Sequence, residues 1–158
     1  MMRYSLEELA RHEEETVLAR FSKTDAWTLG NLVRETAGDD AAKITIMVLK
    51  NDRIAFFTEG EEATAENEFW ADKKVNVVNF FEHSSHYMRA KFNEDEDFFY
   101  HDRTLEPDEY AIHGGAFPIR VKGSGIVGVV AVSGLVSDDD HMLCVEALKK
   151  LQAMQSQA

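Results

Sequence analysis

Two histidines bracket the part of this chain where glycine is most concentrated. From His113 to His141 the sequence holds six of the nine glycines, opening with His113-Gly114-Gly115 and closing with Ser133-Gly134 and Asp138-Asp139-Asp140-His141. A histidine before paired glycines sits where a backbone can turn sharply and approach a flat ligand, and imidazole is a common metal ligand. The same glycines also suit a plain turn into the next strand, with His113 hydrogen-bonded locally. His141 falls early in a helix, beside backbone N–H groups and acidic neighbours expected to raise its pKa. It either lines a site or ties the helix start to the sheet. If the strand end at Ser133 and the His113 turn converge on this helix start, His113, Gly114, Gly115, Ser133 and His141 line one pocket. A helix amino terminus there suits an anionic group such as a carboxylate.

Other reactive side chains are weaker candidates. His83 and His86 stand three apart and share a helix face, and His101-Asp102 follows. A divalent metal needs three or four ligands, so exposed histidines at a frayed helix end are the expectation. Lys73, Lys74 and Arg89 are the few basic groups on the same helix, able to pair propionates or, on an exposed face, neighbouring acids. Cys144 shares helical spacing with Leu148 and Leu151 and reads as a buried, inert thiol. Ser133, His113 and Asp140 make a hydrolase set only on paper. The sequence contains no Gly-rich phosphate loop, nucleophile elbow or Cys-x-x-Cys.

The elements that must position these residues follow from periodicity and caps. Ser5 with Glu8 forms a capping box that starts a helix running to about Arg20. Thr24 or Asp25 caps a second helix that Gly38 stops. Ile44 to Leu49 is apolar on both faces, which predicts a central strand, and Asn51-Asp52 turns it into a partner over Arg53 to Thr58. Thr64 to Asn67 starts the longest helix, with Ser84-Ser85 near its far end. Phe98-Phe99-Tyr100 is expected as a short edge strand. Pro118 places the strand from Ala116 to Lys122 at an edge or bulge, and Gly123-Ser124 turns it into Gly125 to Ser133. Ser137 with Asp140 is a second capping box, opening a last helix to about Gln152. This order predicts an α+β fold, an antiparallel sheet with helices packed on it, in one domain spanning 1–158.

Composition narrows the partners. The formal net charge is −12, with the acids in bursts and no basic stripe, so nucleic acid is not expected. No apolar run approaches the roughly 20 residues of a membrane helix, and the amino terminus lacks a signal-peptide core. A lone cysteine cannot form an internal disulfide, and a cytoplasmic setting is the expectation.

Four pieces occur in a familiar order: Asp25-Ala26-Trp27-Thr28-Leu29-Gly30, Trp70 to Lys74 leading to Ser84-Ser85, His113 to Arg120, and Val132 to Leu135 with Asp139-Asp140-His141. From about Asp25 to about Leu148 the chain resembles the haem-degrading-domain superfamily, the HbpS-like and GlcG-like proteins, related to the carboxy-terminal domain of PduO-type proteins. That resemblance implies a profilin-like fold with a five-stranded antiparallel sheet and assembly into homo-oligomers. It implies haem or other tetrapyrrole binding for some members, and no catalytic residues carry over. The expected function is a small-molecule binding domain with haem as candidate cofactor. The alternatives are an oligomeric adaptor without catalysis and, third, a haem-degrading or metal-dependent enzyme.

Overall fold

The computed structural model describes residues 2–157. Helix α1 (Leu6–Glu15) starts at the Ser5–Glu8 capping box, with both reciprocal bonds at 3.1 Å. It stops earlier than its pattern predicts. Leu18 then adds one parallel bridge to Val121, through Leu18 N–H to Arg120 O at 2.8 Å and Lys122 N–H to Leu18 O at 2.9 Å. Helix α2 (Lys23–Ala37) is capped by Ser22 with Asp25 closing the box, two or three residues ahead of the expected cap. Gly38 ends it at φ 58°, in the left-handed half of conformational space that glycine enters freely.

Strand β1 (Thr45–Lys50) is central and β2 (Arg53–Glu59) is an edge, joined by the turn at Asn51-Asp52. Strand β3 (Ala116–Val121) is the opposite edge, where the missing N–H of Pro118 breaks no inner ladder, and β4 (Gly125–Ser133) lies inside it. The order is β2-β1-β4-β3, antiparallel throughout. The sheet therefore has four strands, where the resemblance implies five. The segment after α1 contributes only the single Leu18 bridge, too short to count as a strand.

Three further expectations are corrected. The long helix divides into α3 (Ala65–Phe81) and α4 (Ser85–Lys91), because Glu82 turns left-handed at φ 60° and Ser84 Oγ caps the new helix by accepting from Tyr87 N–H at 3.0 Å. The stretch Phe98-Phe99-Tyr100 belongs to helix α5 (Glu96–Arg103). Asp95 caps it, and Phe99 packs inward on Phe81 and Phe92. The final helix α6 (Ser137–Ser156) is the longest, and Val136, not Ser137, is its cap residue.

The sheet separates two apolar layers. Helices α2 and α6 cover one face over Ile46, Val48, Phe117, Val130 and Val132. Helix α3 covers Met47, Val129, Ala131 and Ala116 on the other with Ala71, Val75 and Val78, reaching β4 and β3 far more than β1. Side chains alternate along each strand, so the apolar run of β1 is used on both faces.

Candidate functional site

Lys74 is the unexpected centre of the region around His113. It shares the inward face of α3 with Ala71, Val75 and Val78, and only 2% of it remains exposed. Its Nζ donates to Val132 O at 2.7 Å, Gly114 O at 3.0 Å and Asp140 Oδ2 at 3.4 Å. One ammonium thus joins the end of β4, the glycine turn and the start of α6, with all three protons engaged.

Asp140 explains the missing cap of α6. Its carboxylate turns back from the helix to accept from Leu135 N–H at 3.0 Å and Gly134 N–H at 3.3 Å. Burial pushes its carboxyl up to about 6, against the opposing pull of Lys74 and those two amides. Burial likewise lowers the Lys74 pKa, opposed by Asp140. Both groups lean toward their neutral forms, but the donors around the carboxylate and the acceptors around the ammonium favour the ionised pair at neutral pH.

The glycines are fitted to this junction. A Cβ on Gly115, which sits at φ 133°, would fall 2.3 Å from Val132 O and 2.5 Å from Lys74 Nζ. A Cβ on Gly114 would fall 2.2 Å from Ser137 O and 2.6 Å from His86 Nδ1. Cys144 is fully buried beneath them and donates its thiol to Gly115 O at 3.3 Å. Burial pushes that thiol well above its ordinary pKa, so it is inert at neutral pH.

Above the pair lies a cleft of about 230 Å³, bounded by Trp70, His113, Gly114, Ser133, Gly134 and Ser137, with Lys74 and Asp140 in its lining. His113 is about one-third exposed, packs edge-on against Trp70 with ring centres 5.3 Å apart, and holds Glu96 Oε1 2.6 Å from its Nε2. Burial lowers its pKa, with Glu96 opposing. The structure brings His113, Gly114 and Ser133 to one cleft and sets Gly115 behind it. His141 does not line it. That ring is fully buried against His12, His86 and Phe117. Its pKa is pushed well down, by burial first and then by the two neighbouring histidines, the reverse of the acid-driven rise its sequence neighbours suggest.

The remaining candidates disperse. His86 is fully buried and not at an exposed frayed end, and His83 pairs with Glu13 at 3.2 Å. Among the described residues, no group of three or more His, Cys, Asp or Glu is disposed to hold a metal ion. Lys73 lies over the Trp70 ring at 3.9 Å, and Arg89 is committed to Ile112 O and Glu94. Sequence reasoning passed over Trp70 and Asn67 as cleft residues and His12 as a partner of His141. A signal was present for His12, which stands three residues after Leu9 and so shares the inward face of α1.

The chain is 38% identical over 146 residues to a UPF0303 protein of Streptomyces avermitilis, covering 92% of this chain and 90% of that one. Among solved structures, the Ybr137w protein superposes with a TM-score of 0.85 at 27% identity, over 97% of this chain and 89% of that one. The PduOC protein in complex with haem shares the fold, with a TM-score of 0.67 at 14% identity, over 83% of this chain and 94% of that one. Residues 21–149 match the family described as haem degrading protein HbpS-like, and with relatives this similar over nearly their whole length, the chain belongs to that family.

Proposed function

We propose that this chain is a small-molecule binding protein that acts as a homo-oligomer, with the cleft over the Lys74–Asp140 pair as its ligand site. One observation carries this reading. An aromatic wall, a half-buried imidazole and the Ser133 strand end converge on one concavity whose floor is held rigid by a three-way ammonium. Rigid polar floors with an apolar side wall are the usual construction of a ligand pocket.

Haem is the ligand suggested by the likeness to the PduOC protein, whose structure was solved as a haem complex. The residues of one copy do not fit it as an enclosed cofactor. A cleft of about 230 Å³ lies below the roughly 300–1,000 Å³ that surrounds a drug-sized ligand. His113 Nε2 already faces Glu96, and the cations nearest the cleft, Lys74 and Lys73, are engaged. A haem bound at this cleft would need cover that one copy does not supply.

The oligomer reading has its own support. Helix α3 leaves the β2 side of its sheet face bare, where Ile54 is 59% and Phe57 39% exposed. Phe57 is the cross-strand partner of Met47, and Ile54 of Leu49, so both continue the apolar face that α3 covers elsewhere. An apolar strip on an edge strand is the surface a second copy would close. The adaptor reading shares this strip and differs in leaving the cleft without a ligand. The enzyme reading gains no support from Ser133, His113 and Asp140, because His113 faces Glu96 and Asp140 serves Lys74 and the Gly134 and Leu135 amides.

Haem titration followed by visible absorption and by Trp70 fluorescence, in a Trp27→Phe background, tests the site. A haem that does bind at this cleft should give a Soret shift with Trp70 quenching, which His113→Ala should weaken at least tenfold, about 1.4 kcal/mol. A shift unchanged by His113→Ala removes His113 from the site. No Soret shift together with no response of Trp70 to a panel of small molecules favours the adaptor reading.

A further inference from the structure

Three histidines from three helices meet behind the amino end of α6. His12 Nδ1 lies 2.9 Å from His141 Nε2, and the His86 and His141 rings are 5.0 Å apart. Tyr4 covers the cluster, 5.2 Å from His12 and 6.1 Å from His141, and Phe117 closes it from the sheet at 5.6 Å. His86 and His141 are fully buried, and the Nδ1 atom of each has no hydrogen-bond partner.

A neutral imidazole carries one N–H and one lone pair. His86 satisfies its N–H by donating from Nε2 to Asp138 Oδ1 at 2.7 Å, which leaves Nδ1 as a bare lone pair. In the His12–His141 contact His141 Nε2 is the donor and His12 Nδ1 the acceptor, because the other tautomer would leave a buried His141 Nδ1–H with no acceptor. His141 Nδ1 is then also a bare lone pair. A proton added to either buried Nδ1 creates a charged N–H with no acceptor, about 5 Å from another ring, in a space closed to water. Burial holds all three histidines below their ordinary pKa.

The charged groups around them do not relieve this. Glu8 and Glu15 favour charge on His12, whereas Lys149 and Arg11 oppose it. Asp138 and Glu94 favour charge on His86 and Arg89 opposes it. Besides the neutral Tyr4 ring, the titratable groups acting on His141 are the other two histidines, and both oppose its charge.

The three helices are not held equally. Helix α6 buries nine residues and the short α4 buries three of its seven, but the ten-residue α1 buries only Leu9 and Glu13. The remaining ties of α1 are polar: Arg3 to Asp138 and Asp139, Glu13 to Arg120, His83 and the Ser84 amide, and Glu15 to Lys149. If the cluster charges, α1 is the element that can leave.

We propose that residues 3–15 form an acid-released strap, fastened by the neutral His12–His141–His86 cluster and let go when that cluster takes up protons. The direction follows from linkage. A histidine whose folded pKa lies below its unfolded value stabilises the docked form fully above about pH 6.5, and that stability drains as pH falls below it. Release would bare the start of α6 and the His86 side of the glycine turn, the back wall of the cleft. The strap does not depend on what the cleft binds.

Hydrogen exchange measured by mass spectrometry, corrected for the intrinsic pH dependence of exchange, tests it. Between about pH 7.5 and about pH 5.5, a window that brackets histidine titration, the amides of α1 should lose at least tenfold protection. Those of β1 and β4 should keep theirs. His141→Gln, which can pair with His12 but cannot charge, should suppress the loss. Should that variant fail to fold, the half-buried His12→Gln carries the same expectation. Glu13→Gln should leave the pH response in place. The proposal is overturned by α1 protection that does not change with pH, or by loss shared with the sheet. Loss that persists in the histidine variants, or that only Glu13→Gln abolishes, also overturns it.

Discussion

Replacing Lys74 by methionine tests whether the ammonium junction holds the site together. Methionine keeps most of the aliphatic volume, so the packing of α3 on the sheet is little changed. What is lost is the cation. Asp140 retains the Gly134 and Leu135 amides but no counter-charge, and Gly114 O and Val132 O lose a donor. Breaking a buried pair by removing one partner costs about 3–5 kcal/mol. In a chain of this length each kcal/mol moves Tm by roughly 2–4 °C, so a fall of roughly 6–20 °C is expected. The loss should depend on pH. Burial already pushes the Asp140 carboxyl up to about 6, and without Lys74 it moves further up. A carboxyl whose folded pKa exceeds its unfolded value stabilises the fold at low pH and loses that contribution as pH rises through the folded value. Lys74→Met should therefore recover part of its stability, relative to wild type, between about pH 7 and about pH 5. Adding Asp140→Asn removes the stranded charge and should restore at least about 1 kcal/mol beyond additivity. Urea titrations of the four proteins at both pH values measure all of this. A loss under about 1 kcal/mol, or a double mutant that is simply additive, would falsify the junction as the element that holds the cleft.

Gly115→Val should cost more stability than Gly115→Ala, because a β-branched residue resists φ 133° and its Cβ meets Val132 O and Lys74 Nζ; thermal melts rank the two. Thr104 ends α5 at φ 56°, so Thr104→Gly should stabilise by about 1 kcal/mol in denaturant titrations, and a destabilised variant would show that the side chain is needed there. Cys144 should react with a thiol reagent only as fast as the chain unfolds, and rapid labelling of native protein would contradict its burial. Light scattering should report an oligomer at micromolar concentration, and Ile54→Asp with Phe57→Asp should shift it toward a species of about 18 kDa, the one-chain mass. A wild-type monomer would refute the homo-oligomer reading.

Much of the framework is legible in the sequence because its causes are local. The Ser5–Glu8 box, the Gly38 stop, the Asn51-Asp52 turn and the edge position of Pro118 each rest on geometry spanning a few residues. The two-faced apolar run of β1 likewise announces a strand with cover on both sides. The site is legible only in part. His113 and Ser133 stand out by type and by the glycines beside them, and the topology brings both to one cleft. Other outcomes were decided by competition between local and distant partners. Asp140 has the spacing of a helix cap, yet its carboxylate serves the Gly134 and Leu135 amides and a lysine 66 positions away. Phe98-Phe99-Tyr100 has strand composition, but burying Phe99 against Phe81 and Phe92 needs only one side chain inward, which a helix supplies. His141 sits among acids in sequence and among histidines in space. Spacing along the chain sets which bonds a residue can make with its neighbours. For a side chain with two possible partners, only the packed fold decides which one is desolvated beside it, and that choice set the charge, burial and role of Lys74, Asp140 and His141.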